Sequence, residues 1–240
     1  MYKRVISTFI IFLISLTSFA EVKSEAKEKV TLYTFLIPRY VESKEKGEFI
    51  VLAKKLAELA GFDLTIEVFP AKRALQKFSE GSADGYFPAL DTLNPFSVYK
   101  TSDFYIKEDF VFQMKGKNYL THKSPKACLT SGYPYTKSVL ENKKWEVIYA
   151  KSDEKCLELL SIDRAQVFVG EEYTAIAALK SLKVIDSVAY DRFRPISTQN
   201  VYFAFSENKR GKILSQKFDQ ALKKLVMNGF YDSLFPEKQR

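Results

Sequence analysis

The sequence predicts an α/β protein of two similar lobes joined by two chain crossings. Three observations carry that reading. Short runs rich in β-formers alternate with runs whose apolar residues recur at helical spacing. The order β-α-β-α-β occurs before about residue 108 and a similar alternation follows it. A last strand and helix close the chain with no low-complexity linker ahead of them, so they are expected to complete the first lobe.

Residues 21–29, EVKSEAKEK, carry charge without apolar periodicity and read as a lead-in. Val30 to Leu36 alternates as a strand. Phe49, Leu52, Ala53, Leu56 and Leu59 then share one face of a helix beginning at Glu48, with Gly61 as its stop. Asp63 to Phe69 alternates again. The next helix opens after Pro70 and buries Ala74, Leu75 and Phe78, placing Arg73 in its first turn; Gly85-Tyr86-Phe87 is a third strand.

The second lobe repeats the scheme. Phe110 to Phe112, Lys126 to Thr130, Trp145 to Tyr149 and Gln166 to Val169 read as strands. Thr136 to Asn142, Ser152 to Leu160 and Tyr173 to Leu182 read as helices. Val201 to Phe205 and Ile213 to Met227 supply the returning strand and helix. The expected division is therefore 21–108 and 194–240 for one lobe and 109–193 for the other. Crossings near 105–112 and 190–200 would form a two-stranded hinge.

Residues 1–20 have the form of a secretory signal peptide: Lys3-Arg4, an apolar run from Val5 to Leu16, then Ser18-Phe19-Ala20. The apolar run, about 12 residues, is short of the roughly 20 that span a bilayer. A periplasmic address is expected. Cleavage would lower the net charge from +8 only to +6, since it removes Lys3 and Arg4 and no acid. The remaining lysines are scattered rather than gathered with aromatics in one stripe, which argues against a nucleic-acid partner. Cys128 and Cys156 form an even pair in a chain bound for an oxidising compartment, so a disulfide is expected.

Enzymatic signatures are sparse. His122 lies in a loop-like stretch, and no P-loop, nucleophile elbow, zinc-protease or dinucleotide fingerprint occurs. Neither a cofactor nor a metal is expected. Glu171-Glu172 and Asp84 leave a catalytic carboxylate pair conceivable, although adjacent acids on a loop are ordinarily solvated. The stronger candidate is a binding cleft at the carboxyl ends of the strands, where Pro88 to Thr92 and Ser131 to Thr136 would face one small molecule.

The segment PAKRALQKFSEGSADGYF resembles the P-x-x-R-A-L…G-x-x-D-G stretch of bacterial extracellular solute-binding proteins of family 3, the polar amino-acid-binding type. Tyr33 to Tyr40 with Gly47-Glu-Phe resembles that family's first strand, loop and helix start. Thr101 to Tyr105, Ser131 to Tyr135 and Asn228 to Tyr231 are similar to its F-S-x-P-Y, G-Y-x-Y and terminal N-G segments.

The resemblance covers roughly residues 30–236 and implies two Rossmann-like lobes of the type II periplasmic-binding-protein kind. It further implies capture of a small solute, with an inner-membrane ABC permease as partner; a sensory partner and a dehydratase-like enzyme are the rival readings. A monomer is expected. In the family a T-x-x-R arginine grips the ligand carboxylate, whereas Thr92-Leu-Asn-Pro95 ends here in proline. Arg73 and Arg39 are the candidate substitutes, and Glu171 matches the acid that holds an ammonium group. The expected ligand contacts are Arg39, Tyr40, Arg73, Pro88, Thr92, Ser131, Gly132, Tyr133, Tyr135, Thr136, Glu171 and Tyr173.

Overall fold

A computed structural model describes residues 27–93 and 96–236. The expected export signal and Pro95 lie outside those residues. In chain order the elements are β1 (Glu28–Thr34), α1 (Glu48–Ala60), β2 (Phe62–Val68), α2 (Ala71–Ser79), β3 (Gly85–Ala89), β4 (Val98–Lys100) and β5 (Tyr105–Met114). There follow β6 (Lys126–Thr130), α3 (Lys137–Leu140), β7 (Glu146–Ala150), α4 (Asp153–Ser161), β8 (Val167–Glu171), α5 (Glu172–Ser181) and β9 (Val188–Ala189). The chain closes with β10 (Ser197–Ser206), α6 (Lys209–Met227) and α7 (Phe230–Leu234). Among the described residues no helix is long and apolar enough to cross a membrane.

Strand order is β2-β1-β3-β10-β5-β8-β6-β7, with β4 on β10 and β9 on β5. Two parallel groups, β2-β1-β3 and β7-β6-β8, are thus linked by the antiparallel pair β5 and β10. Each long strand is shared along its length. On β10, Ser197 to Val201 pairs with β5, then Tyr202 to Phe205 pairs with β3; on β5, Asp109 to Phe112 turns to β8. This is the two-lobed α/β arrangement with a two-stranded hinge that the sequence predicts.

Each lobe buries both faces of its sheet, as parallel strands require. In the first lobe α1 and α6 cover one face through Leu52, Leu56, Phe218 and Leu225, and α2 covers the other through Ala74 and Phe78. In the second, α4 and α5 supply Cys156, Leu157, Ala175 and Leu179, while Tyr135 and Val139 close the opposite face. Helix boundaries follow local chemistry. Gly61 at φ 81 takes the left-handed position that stops α1, and Asn208 caps α6 by accepting from the Gly211 amide at 2.8 Å.

The hinge strands are longer than apolar alternation indicates. β10 begins with polar residues, yet Ser197 and Gln199 are buried in alternation with exposed Thr198 and Asn200. Polar side chains occupy the inward positions because they make hydrogen bonds there.

Cys128 on β6 and Cys156 on α4 are bonded, with their Cα atoms 5.5 Å apart, within the ordinary disulfide range. The bond ties the second lobe's sheet to its covering helix. Replacing both cysteines by alanine is expected to cost about 2–4 kcal/mol, read as a lower urea midpoint with a steeper slope, because the unfolded chain without the bond exposes more surface.

Candidate functional site

The loop after β1 carries Arg39 and Tyr40 from the first lobe to the start of α5 in the second. Tyr40 is buried and donates to Glu171 Oε1 at 3.2 Å, and its oxygen lies 2.5 Å from the Tyr105 hydroxyl. With the Tyr40 proton directed at Glu171, Tyr105 supplies the proton between the two phenols. Burial, then the nearby Glu171 carboxylate, pushes both phenols far above the ordinary tyrosine range, so both are neutral donors at physiological pH.

Glu171 ends β8 and caps α5. Its Oε2 accepts the Tyr173 and Thr174 amides, each at 3.0 Å, which satisfies backbone donors that a helix start leaves open. Glu172 is buried as well, holding the Tyr190 hydroxyl at 2.8 Å and facing Arg192 at 3.6 Å. The reading of these acids as a solvated loop pair is corrected: both are buried at a strand–helix junction, because the helix amides and phenols supply their partners.

Arg39 sits at φ 71, a region that residues other than glycine seldom occupy. Its Nε donates to Glu48 Oε1 at 2.7 Å. Its guanidinium lies 4.2 Å from the Tyr173 ring centre and 5.5 Å from that of Tyr40. Tyr173, from the second lobe, packs against the core cluster of the first. Arg39, Tyr40, Glu171 and Tyr173 are thus brought together, with Tyr105 and Glu48 as members that sequence reasoning did not mark.

A second group lies beside it. Lys107 pairs with fully buried Asp109, and its ammonium is 5.6 Å from the Tyr135 ring centre. Asp109 also accepts from the Ser197 hydroxyl at 2.7 Å. Tyr135 donates to the Val169 carbonyl and accepts the Thr130 amide, both at 2.9 Å, so its hydroxyl is used within the lobe. Burial, and then the charges of Asp153, Glu154 and Glu171, holds the Tyr133 phenol above the ordinary tyrosine range.

Asp153, at the start of α4, is buried and accepts from the Thr130 hydroxyl at 2.5 Å. Burial outweighs the hydroxyl partners Thr130 and Thr174 and raises its carboxyl above the usual range. A carboxyl raised in this way binds its proton more tightly folded than unfolded. Its stabilising contribution is complete below the unfolded value, about 3.9, and is lost as pH rises through the folded value. Asp153→Asn is therefore expected to raise the urea midpoint at pH 7 and to leave it unchanged at pH 3.

The two strand-end loops favoured by the sequence are bridged by one hinge side chain. Gln199 accepts from the Thr92 hydroxyl at 2.5 Å and donates to the Pro134 carbonyl at 2.6 Å. Pro88 is buried within β3. Ser131 and Gly132 are exposed at the turn after β6, and Thr136 precedes α3, its hydroxyl 2.8 Å from that of Ser138. Arg73 is exposed on α2 with its guanidinium 5.8 Å from the Phe69 ring centre. Among the described residues it joins none of the contacts around Tyr40 and Glu171.

A hollow of about 240 Å³ lined by Thr31, Asp84, Asn208 and Arg210 lies elsewhere in the first lobe, where Asp84 precedes β3. Arg210 there joins Glu28, Asp84 and the Lys29 carbonyl, which makes it a clasp between α6 and the sheet.

The lobes, the hinge and the carboxyl-end site define a fold shared with many solved structures. The ligand-binding core of GluR0 from Nostoc punctiforme, in complex with L-glutamate, aligns over 87% of this chain and 98% of its own, at 14% identity and a TM-score of 0.68. A histidine kinase sensor domain with similarity to periplasmic binding proteins aligns over 89% and 96%, at 14% identity and 0.69. A substrate-binding protein of an ABC uptake transporter from Streptococcus pneumoniae, with bound histidine, aligns over 87% and 91%, at 16% identity and 0.67. The chain has the periplasmic-binding-protein fold. No family model matches it, and no curated protein sequence matches it.

Proposed function

We propose that this chain is an exported solute-binding protein that holds a small polar, amino-acid-like solute between its lobes and delivers it to an ABC importer. The observation that carries this reading is the contact of Tyr40, on the loop after β1, with Glu171 at the end of β8. It joins the two lobes at the carboxyl ends of their strands, where ligands of open α/β sheets collect. Tyr40, Tyr133, Glu171, Tyr173 and Asp153 are the proposed contacts, with Gln199 setting the hinge. Capture without bond making fits a site of neutral phenols and capped carboxylates. Solved structures of the same fold hold glutamate, histidine and arginine, which supports a ligand of that size.

Export through residues 1–20 accords with a bonded cysteine pair, which persists in oxidising compartments. The proposed lobes are 21–108 with 194–240, and 109–193, acting as a monomer. A sensory role is the second reading, favoured by the likeness to a kinase sensor domain. Deleting the gene separates the two: loss of solute uptake supports delivery, whereas intact uptake with a lost transcriptional response supports sensing. Solute capture itself is tested by thermal shift, since a ligand of the folded state stabilises by mass action.

A further inference from the structure

We propose that the cleft takes an organic cation, an alkylammonium or guanidinium compound, and that Arg39 fills the cation's place as a tethered stand-in. The inference rests on the solute-capture reading above and names the class of solute.

Arg39 already shows what the site accepts. Its guanidinium lies within cation–π range of two rings, Tyr173 at 4.2 Å from the second lobe and Tyr40 at 5.5 Å from the first. The rings approach each other edge to face, with centres 6.4 Å apart. Planar cations stack on such faces because the ring's negative face attracts them, and the attraction strengthens as water is removed. The chain adopts a left-handed backbone at Arg39 to put the group there, a conformation that costs free energy in any residue with a Cβ. The arginine side chain nevertheless stays 30% exposed, so this corner opens to solvent on one side.

The charges around it point the same way. Glu48, Asp109, Asp153, Glu154 and Glu171 stand against two cations of the same cluster, Arg39 and Lys107. Each of these cations touches both a carboxylate and a tyrosine ring, Arg39 with Glu48 and Tyr173, Lys107 with Asp109 and Tyr135. Two corners of one design are thus each held by a cation of the chain itself. An acidic solute would add to the surplus of carboxylates, whereas a cationic one offsets it. A free cation gains the aromatic corner by displacing Arg39, which swings toward solvent while keeping its pairing with Glu48.

The test is titration calorimetry of the mature chain with agmatine and putrescine as cationic probes, L-glutamine as a zwitterion and L-glutamate as an acid. Wild type is expected to bind a cationic probe one to one, and Arg39→Gln to bind it at least tenfold tighter because the competitor is gone. Arg39→Gln/Glu48→Gln, which also removes the carboxylate left behind, is expected to show the same gain and serves if the single variant does not fold. Binding of glutamine or glutamate without either cation would overturn the cation class and leave solute capture standing. Cation binding unchanged or weakened in both folded variants would overturn the stand-in role. Silence from all four probes in folded protein would overturn the proposal, and the wider solute screen would then judge capture separately.

Discussion

Glu171→Ala is expected to weaken solute binding at least a hundredfold and to lower stability by about 2–3 kcal/mol. Three donors converge on this carboxylate: the Tyr40 hydroxyl and the amides of Tyr173 and Thr174. Losing a helix cap costs roughly 0.5–2 kcal/mol, and a buried donor left unpaired adds about 1–3 kcal/mol. The binding loss is separate, because Glu171 is a charged group at which the two lobes meet. Glu171→Gln keeps one acceptor oxygen and the side-chain length, so it should retain most of the stability while losing most of the affinity. Calorimetry on both variants and urea melts of the same samples read the two effects independently. Arg73→Ala is the matched control: exposed over Phe69, it should change affinity less than about threefold, the scale of a surface contact.

Phe218→Ala is expected to cost about 3–5 kcal/mol, as large-to-small changes of buried phenylalanines do. For a chain of this size that corresponds to a melting temperature lower by about 6–20 °C. Phe218 on α6 is fully buried and packs against Phe62, Phe203 and Phe205. These rings come from β2 and from the far half of β10, so the cavity would open where the returning chain joins the first lobe's sheet. A loss below 1 kcal/mol would mean that α6 does not close that core.

The repeated α/β order was legible because each element buries one face and so prints its period into the sequence. Glu48 to Ala60 and Lys209 to Met227 show it at helical spacing; β6 and β7 are short β-rich runs between breakers. The cysteine pair was legible from compartment and parity. β4 and β9 were not: at three and two residues they are too short to carry a period. The polar first half of β10 was missed because its inward residues, Ser197 and Gln199, are held by hydrogen bonds rather than by apolar contact.

The site was half legible. Tyr40, Glu171 and Tyr173 could be placed by their order in the chain, but their mutual contacts could not. Tyr40 meets Tyr105 across 65 positions and Glu171 across 131, distances at which no local pattern survives. Tyr105 reads only as the end of the segment similar to F-S-x-P-Y, and Asp153 as an ordinary helix start. Arg39 was chosen as a candidate anion clamp. Its ion pair with Glu48, nine positions on, depends on the left-handed turn at Arg39 and on α1 returning beneath the loop.

We propose that one small solute is held between the lobes at the Tyr40–Glu171 contact. The most direct measurement is a thermal-shift screen of the mature chain against amino acids, amines, organic acids and short peptides, followed by calorimetry of each hit on wild type and Glu171→Ala. At least one solute is expected to raise the melting temperature, bind one to one, and lose at least a hundredfold in affinity in the variant. A folded protein that responds to no class of solute, or a hit that binds Glu171→Ala as tightly as wild type, would contradict it.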